Sequence, residues 1–209
     1  MNLANRITMI RIFLTVLLIV LLLFPFYMVN IEFSKVLIGT ITVDIKYFIA
    51  AGLFAIASIT DAIDGHIARS RNMVTDFGKM TDAIADKMLV NSSLIILTAQ
   101  GMVSPAITVI IVLRDTVVDT IKMIAGSKGK VVAAIKSGKI KTTFLMLGII
   151  FTMCYNLPFE LFNLDIASFL LVLATIFAII SGIQYYIMNK DIIFSKEEIS
   201  DSADKKTQK

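Results

Sequence analysis

Asp61, Asp64, Asp82 and Asp86 fall at i, i+3 and i, i+4 spacing inside two segments that are otherwise apolar. If both segments are helical, Asp61 and Asp64 share a face with Gly65 and Ala68, and Gly78 lies one turn before Asp82. A carboxylate facing lipid near the centre of a membrane helix costs about 2.5–3.5 kcal/mol. Four of them close together would also repel one another. Protonation would relieve the repulsion, as in a proton relay, and so would a bound cation. An all-oxygen set without cysteine suits hard divalent ions such as Mg2+, Mn2+ or Ca2+. Four carboxylates can share two ions through bridging oxygens, an arrangement used for phosphoryl chemistry. Structural pairing with Arg69, Lys79 and Lys87 could satisfy one aspartate, but it does not explain four at this spacing. Asp76 stands where a helix would begin, and capping is its expected role.

The elements that must position these residues read as membrane helices. The chain is 57% hydrophobic, only 17% charged, and has a mean hydropathy of +0.84. Six apolar spans are expected, at Ile10–Met28, Tyr47–Ala68, Phe77–Thr98, Pro105–Ala125, Thr143–Leu161 and Ala167–Met188. Each is long enough to cross about 30 Å of hydrocarbon. Alternating aromatic strands are missing, so the expected class is an all-α integral membrane protein rather than a barrel. Basic residues concentrate at the N-terminus (Arg6, Arg11), around Arg69 to Lys79, between Lys122 and Lys141, and in the tail. On the other side only Lys35 and Lys46 appear. The positive-inside rule then makes both termini cytoplasmic, in a multi-pass protein of the cell membrane. The first span has a basic start but no small-residue cleavage site after it, so it is expected to be retained. One transmembrane domain is expected over 1–190, with a polar cytoplasmic tail over 191–209. The single Cys154 cannot form an internal disulfide, and the lone His66 offers no zinc-type cluster.

The stretch DAIDGHIARSRNMVTDFGKMTDAIAD matches D-x2-D-G-x2-A-R-x8-G-x3-D-x3-D at Asp61, Asp64, Gly65, Ala68, Arg69, Gly78, Asp82 and Asp86. This resembles the CDP-alcohol phosphatidyltransferase family. The resemblance implies a six-helix membrane fold and transfer of a phosphatidyl group from a CDP-linked lipid to an alcohol, with release of CMP. It implies two divalent metal ions, Mg2+ or Mn2+, held by Asp61, Asp64, Asp82 and Asp86. Asp86 would also be the general base for the acceptor hydroxyl. Gly65, Ala68 and Arg69 would belong to the CDP-lipid pocket together with Asp61, Gly78 and Asp82. A homodimer is a further implication, and no nucleic-acid partner is expected.

Other polar residues bear on the acceptor. Arg114 interrupts an apolar span at about the depth of Asp86, and an intramembrane arginine is a functional candidate by default. Its neighbour Asp115 could instead simply neutralise it. Ser137, Gly138, Lys139 and Lys141 lead into the fifth span, where a basic, glycine-containing helix start suits an anion. Arg114, Lys139, Lys141 and Arg11 are therefore the expected contacts to an acceptor phosphate. Asn5 and Thr8 form a polar stripe with Arg11 on the first helix and are assigned to the CDP-lipid pocket. The segments NLANRITMIR, LRD and SGKIKTT resemble the members of the family that use glycerol 3-phosphate as acceptor and CDP-diacylglycerol as donor. Inositol phosphate is the alternative acceptor. An acid-lined divalent-cation transporter is the alternative from another class, although inverted repeats and broken helices are missing.

Overall fold

A computed structural model describes the backbone over residues 3–30, 33–39, 41–70, 76–130 and 132–194; for 3–7, 27, 61–70, 76–80, 82–83 and 193–194 it describes the backbone alone. Among the described residues are six α-helices: α1 Leu3–Leu23, α2 Ile45–Ser70, α3 Asp76–Ala99, α4 Pro105–Ser127, α5 Lys136–Met153 and α6 Ile166–Phe194. Helices α2, α3 and α4 follow the expected spans within a few residues. The others shift for local reasons. Helix α1 begins well before Ile10, because its polar first turns are helical although not apolar. It stops at Leu23 because Pro25 has no amide hydrogen to extend the ladder, and a 3-10 turn over Phe26–Val29 follows.

Helix α5 likewise starts seven residues before Thr143, at the basic turn Lys136–Lys141. It ends at Met153, not Leu161, because Tyr155 and Asn156 turn left-handed with φ of 55° and 57°. The Asn156 amide then ties the break together. Its Nδ2 donates to Glu160 Oε2 at 2.9 Å and to the Leu164 carbonyl at 2.6 Å, and its Oδ1 accepts from Ala167 N at 3.0 Å. Helix α6 runs on to Phe194, past the expected end at Met188 and across the expected domain limit at 190.

One element was not anticipated by the all-α expectation. Strands β1 (Lys35–Ile38) and β2 (Ile41–Asp44) form an antiparallel hairpin in the register Lys35↔Asp44 to Ile38↔Ile41. Gly39 supplies the positive φ of 63° that a two-residue turn requires. Each strand is only four residues long, too short for a periodicity to stand out from the neighbouring apolar spans. Asp44 ends the hairpin and caps α2, its Oδ1 accepting from Lys46 N at 2.9 Å.

The bundle core joins Leu18 of α1, Phe54 of α2, Leu94 and Leu97 of α3, Leu145 and Ile149 of α5 and Leu171 of α6, each at most 2% exposed. Helix α1 packs on α2 and α3, α4 packs on α6, and α5 packs on both α2 and α6. The polarity is reversed relative to a water-soluble bundle. Phe13, Ile56, Leu113, Phe169, Ile183 and Met188 are each more than half exposed, while Arg11, Thr15, Lys141, Ser181 and Asn189 are buried. Apolar outer faces, with the charged and polar side chains turned inward beside an apolar core, are what a hydrocarbon solvent selects. Among the described residues, Ile166–Ile192 is long and apolar enough by itself to cross a membrane, with mean hydropathy 2.6. Thr8–Leu23 and Ile45–Thr60 are shorter apolar stretches.

The α5–α6 contact is the closest helix approach with a clear sequence cause. A Cβ at Gly148 would meet Leu171 Cδ2 at 2.8 Å and Leu171 N at 3.3 Å. Gly148→Leu should therefore overpack this seam and cost about 1–3 kcal/mol. The expected result is a thermal midpoint in detergent several degrees lower; an unchanged midpoint would mean the seam can open without cost.

Candidate active site

Helix α2 carries Asp61, Asp64, Gly65, Ala68 and Arg69 in its last three turns, and α3 carries Gly78, Asp82 and Asp86 in its first three. The helical backbone thus keeps the i, i+3 and i, i+4 spacings read from the sequence. The side chains of Asp61, Asp64, Ala68, Arg69 and Asp82 lie outside the described residues, as does that of Asn5 on α1. Helix α3 begins at Asp76, the expected capping position. Hard-cation chemistry fits the donor set, because the two helices offer only carboxylate oxygens at these positions.

Asp86 belongs to a second feature as well. It lines a cavity of about 210 Å3 walled by α3, α4, α5 and α6. Lys87, Arg114, Asp115, Asp119, Lys122, Lys139 and Lys141 supply the rest of its charge. The structure thus brings Arg114, Lys139 and Lys141 to one place, beside Asp86. Arg11 is fully buried on α1 and Thr8 nearly so, and neither lines this cavity.

The cavity's charges are held in a definite order. Asp115 accepts from Arg114 Nη1 at 2.8 Å and from Lys141 Nζ at 3.0 and 2.9 Å through its two oxygens. The other guanidinium arm, Nη2, donates to Ser181 Oγ at 2.7 Å. Ser181 in turn donates to the Ala178 carbonyl at 3.0 Å. Gly182 leaves room for this arginine, since a Cβ there would sit 3.3 Å from Arg114 Cγ. Lys87 pairs with Asp119. The Tyr185 ring takes Arg114 on one contact and Lys122 on another, each 5.6 Å from its centroid. The phenol oxygen accepts from Ile135 N at 3.3 Å, fixing the segment that leads into α5.

Among the described residues, five cations and three carboxylates line the cavity. That surplus matches a phosphate monoester, which carries about −1.5 to −2 near neutral pH. Pockets for drug-sized molecules run from about 300 Å3 upward. A cavity of about 210 Å3 has room for a small solute. The sequence reading has Asp115 only as a possible neutraliser of Arg114, Lys87 as a pairing partner of the aspartates and Lys122 as part of a basic loop, and it misses Asp119, Ser181 and Tyr185. Spacing along one helix gives no sign of Ser181 or Tyr185, which come from a helix 67 residues after Arg114 in the case of Ser181.

A family model described as CDP-alcohol phosphatidyltransferase matches residues 1–184. A Bacillus subtilis protein named CDP-diacylglycerol–glycerol-3-phosphate 3-phosphatidyltransferase is 36% identical over 188 residues, covering 90% of this chain and 95% of that protein. A Mycoplasma pneumoniae protein of the same name is 35% identical over 162 residues, 77% of this chain and 70% of the relative. A third of that name, from Rickettsia felis, is 33% identical over 139 residues, 66% and 77% of the two chains.

The three-way contact at Asp115 makes a stability prediction. The side chains of Arg114, Asp115 and Lys141 are 12%, 15% and 6% exposed. Asp115→Ala would leave two buried cations without their carboxylate, a loss of about 3 kcal/mol or more. Thermal unfolding in detergent should show it, and Asp115→Asn should recover only part. A variant as stable as the parent would show that the carboxylate is dispensable to the packing of α4, α5 and α6.

Proposed function

The chain belongs to the CDP-alcohol phosphatidyltransferase family, and on that premise we propose that it transfers the phosphatidyl group of CDP-diacylglycerol to sn-glycerol 3-phosphate. The products are phosphatidylglycerophosphate and CMP. The observation that carries the choice of acceptor is the small, net-positive cavity that Asp86 shares with Arg114, Lys139 and Lys141. Its positive charge suits the phosphate of glycerol 3-phosphate. The names of the Bacillus, Mycoplasma and Rickettsia relatives support the same acceptor.

Residue roles follow from the chemistry the transfer needs. Asp61, Asp64, Asp82 and Asp86 would hold two divalent ions, Mg2+ or Mn2+, which when bound neutralise the pyrophosphate of the donor. Gly65, Ala68, Arg69 and Gly78, with Asn5 and Thr8 of α1, would line the CDP-lipid pocket. Arg114, Lys139 and Lys141 would hold the acceptor phosphate through charge-assisted hydrogen bonds. Arg11 is not among the described residues that line that cavity, and its contact to the acceptor phosphate would come from α1. Asp86 would take the proton from the acceptor hydroxyl. The freed oxygen forms the new bond to the phosphatidyl phosphorus, the pyrophosphate P–O bond breaks, and CMP leaves with its electron pair. We further propose six membrane spans, cytoplasmic termini, a site open to the cytoplasm, and a homodimer. The reversed polarity of the bundle and the basic loops support the first three.

Purified protein given CDP-diacylglycerol, Mg2+ or Mn2+ and labelled glycerol 3-phosphate should release CMP and form labelled lipid. Turnover with inositol phosphate alone would reassign the acceptor, and ion flux without any turnover would replace the enzyme by a transporter. Arg114→Ala should raise the KM for glycerol 3-phosphate about 10- to 100-fold, as expected for a lost hydrogen bond to a charged group. The KM for CDP-diacylglycerol should stay within about twofold of the parent, the scatter of an independent site. Equal effects on both substrates would remove Arg114 from the acceptor site. Asp86→Asn should lower kcat by about 10²- to 10⁴-fold, the usual contribution of a general base; normal turnover by that variant would end the base assignment.

A further inference from the structure

Lys35 and Lys46 are the basic residues assigned to the side away from the charge-rich loops, and the transfer reaction gives neither of them a role. The structure places both on one cavity of about 850 Å3. It lies at the C-terminal end of α1 and the N-terminal end of α2, the opposite end of the bundle from Arg114 and Asp86. Its wall holds Phe24, Phe26 and Phe33, which stack edge to face with ring centroids 4.9 and 5.1 Å apart. Leu22, Leu23 and Pro25 complete the apolar part, and Asp44 is the carboxylate.

The two ammonium groups have unused capacity. Lys46 Nζ makes one long contact to the Leu22 carbonyl at 3.5 Å and lies 5.2 Å from the centroid of the Tyr47 ring. An ammonium has three donors. Asp44 stands directly across the hairpin from Lys35, yet its Oδ1 is engaged in capping α2. Among the described residues no ion pair joins the two. Among the described residues the cavity thus presents two cations and one carboxylate, a surplus of a single positive charge. Leu23 and Phe24 of this wall are exposed, as are Met28 and Leu37 in the neighbouring turn and hairpin. Lysines near the ends of membrane helices reach to the level of lipid headgroups, and phenylalanines beside them face the acyl chains.

From this juxtaposition we propose that the cavity is a binding site for an anionic phospholipid of the leaflet opposite the active site. The lipid phosphodiester, with one negative charge, sits between Lys35 and Lys46. The first carbons of its acyl chains lie on the Phe24–Phe26–Phe33 wall. A lipid with a cationic headgroup would bring its own ammonium against the two lysines and bind less well. A free phosphate ion would leave the aromatic wall without a partner. The site does not depend on the transfer reaction, and it would hold the lipid whichever acceptor the active site uses.

The test uses the full chain in a neutral detergent, with bound lipid counted by native mass spectrometry during titration. The probes are phosphatidylglycerol, phosphatidylcholine and inorganic phosphate. The parent should bind phosphatidylglycerol about tenfold or more tightly than phosphatidylcholine, as expected for two lysines acting on one charge. Lys35→Ala with Lys46→Ala should remove that preference while turnover in detergent stays at the parent level. The paired arginine variant, Lys35→Arg with Lys46→Arg, should restore the preference and guards against a fold defect in the alanine pair. Unchanged phosphatidylglycerol binding by the alanine pair would overturn the proposal. So would equal binding of phosphatidylcholine by the parent, or displacement of the lipid by inorganic phosphate. A failure of turnover in the parent would strike the proposed reaction and leave this site standing.

Discussion

The carboxylate of Asp115, shared between Arg114 and Lys141, is the interaction on which the Asp86 end of the bundle depends. It sits between α4 and α5, and the same arginine reaches Ser181 on α6. Three helices are thereby held together by ion pairs and a hydrogen bond. Such a pair is a poor source of net stability, because desolvating the charges offsets much of their attraction. Its value lies in geometry. It fixes where two cations stand and prevents the arginine from turning out to the lipid surface. With those cations fixed, the cavity keeps a shape and a charge that a small phosphate monoester complements.

The same economy runs through the rest of the bundle. Threonine and serine hydroxyls inside the helices mostly bond back to carbonyls one turn earlier, as Thr15, Ser93, Thr152 and Thr175 do. These groups are satisfied locally and need no neighbour. Polar side chains that reach across helices are fewer and do more to fix the packing. Thr98 and Thr108 join α3 to α4 at 2.6 Å, and Ser137 donates to Gln184 Oε1 at 2.6 Å to join α5 to α6. The opposite end is organised differently, by the hairpin, the Asn156 amide and a cluster of phenylalanines. The bundle thus carries charge chemistry at one end and an aromatic, lysine-edged hollow at the other.

Much of this was legible in the chain itself. The four aspartates with their helical spacing, the two helices that carry them, and the candidate acceptor cations Arg114, Lys139 and Lys141 could be read from residue type and period. They are legible because lipid makes intramembrane charge costly, so every charge that remains has a reason. Helix limits were less legible. Hydropathy marks where a helix is apolar, whereas α1 and α5 are helical through polar first turns. The break after Met153 depends on the backbone of Tyr155 and Asn156, which no hydropathy window registers.

What the sequence alone determined was therefore the chemistry available: carboxylates on one hairpin of helices, cations on two others, apolar surface elsewhere. Only the tertiary structure decided which of these meet. It set Asp86 beside Arg114, Lys139 and Lys141 and left Arg11 out of that cavity. It gave Asp115 two partners at once, and it supplied Ser181 and Tyr185 from a helix distant in the chain. The reason is physical. Spacing along one helix is set by a local period that each segment obeys by itself. Contact between helices is set by how side chains of different segments fill a common space, and that information is spread over the whole chain.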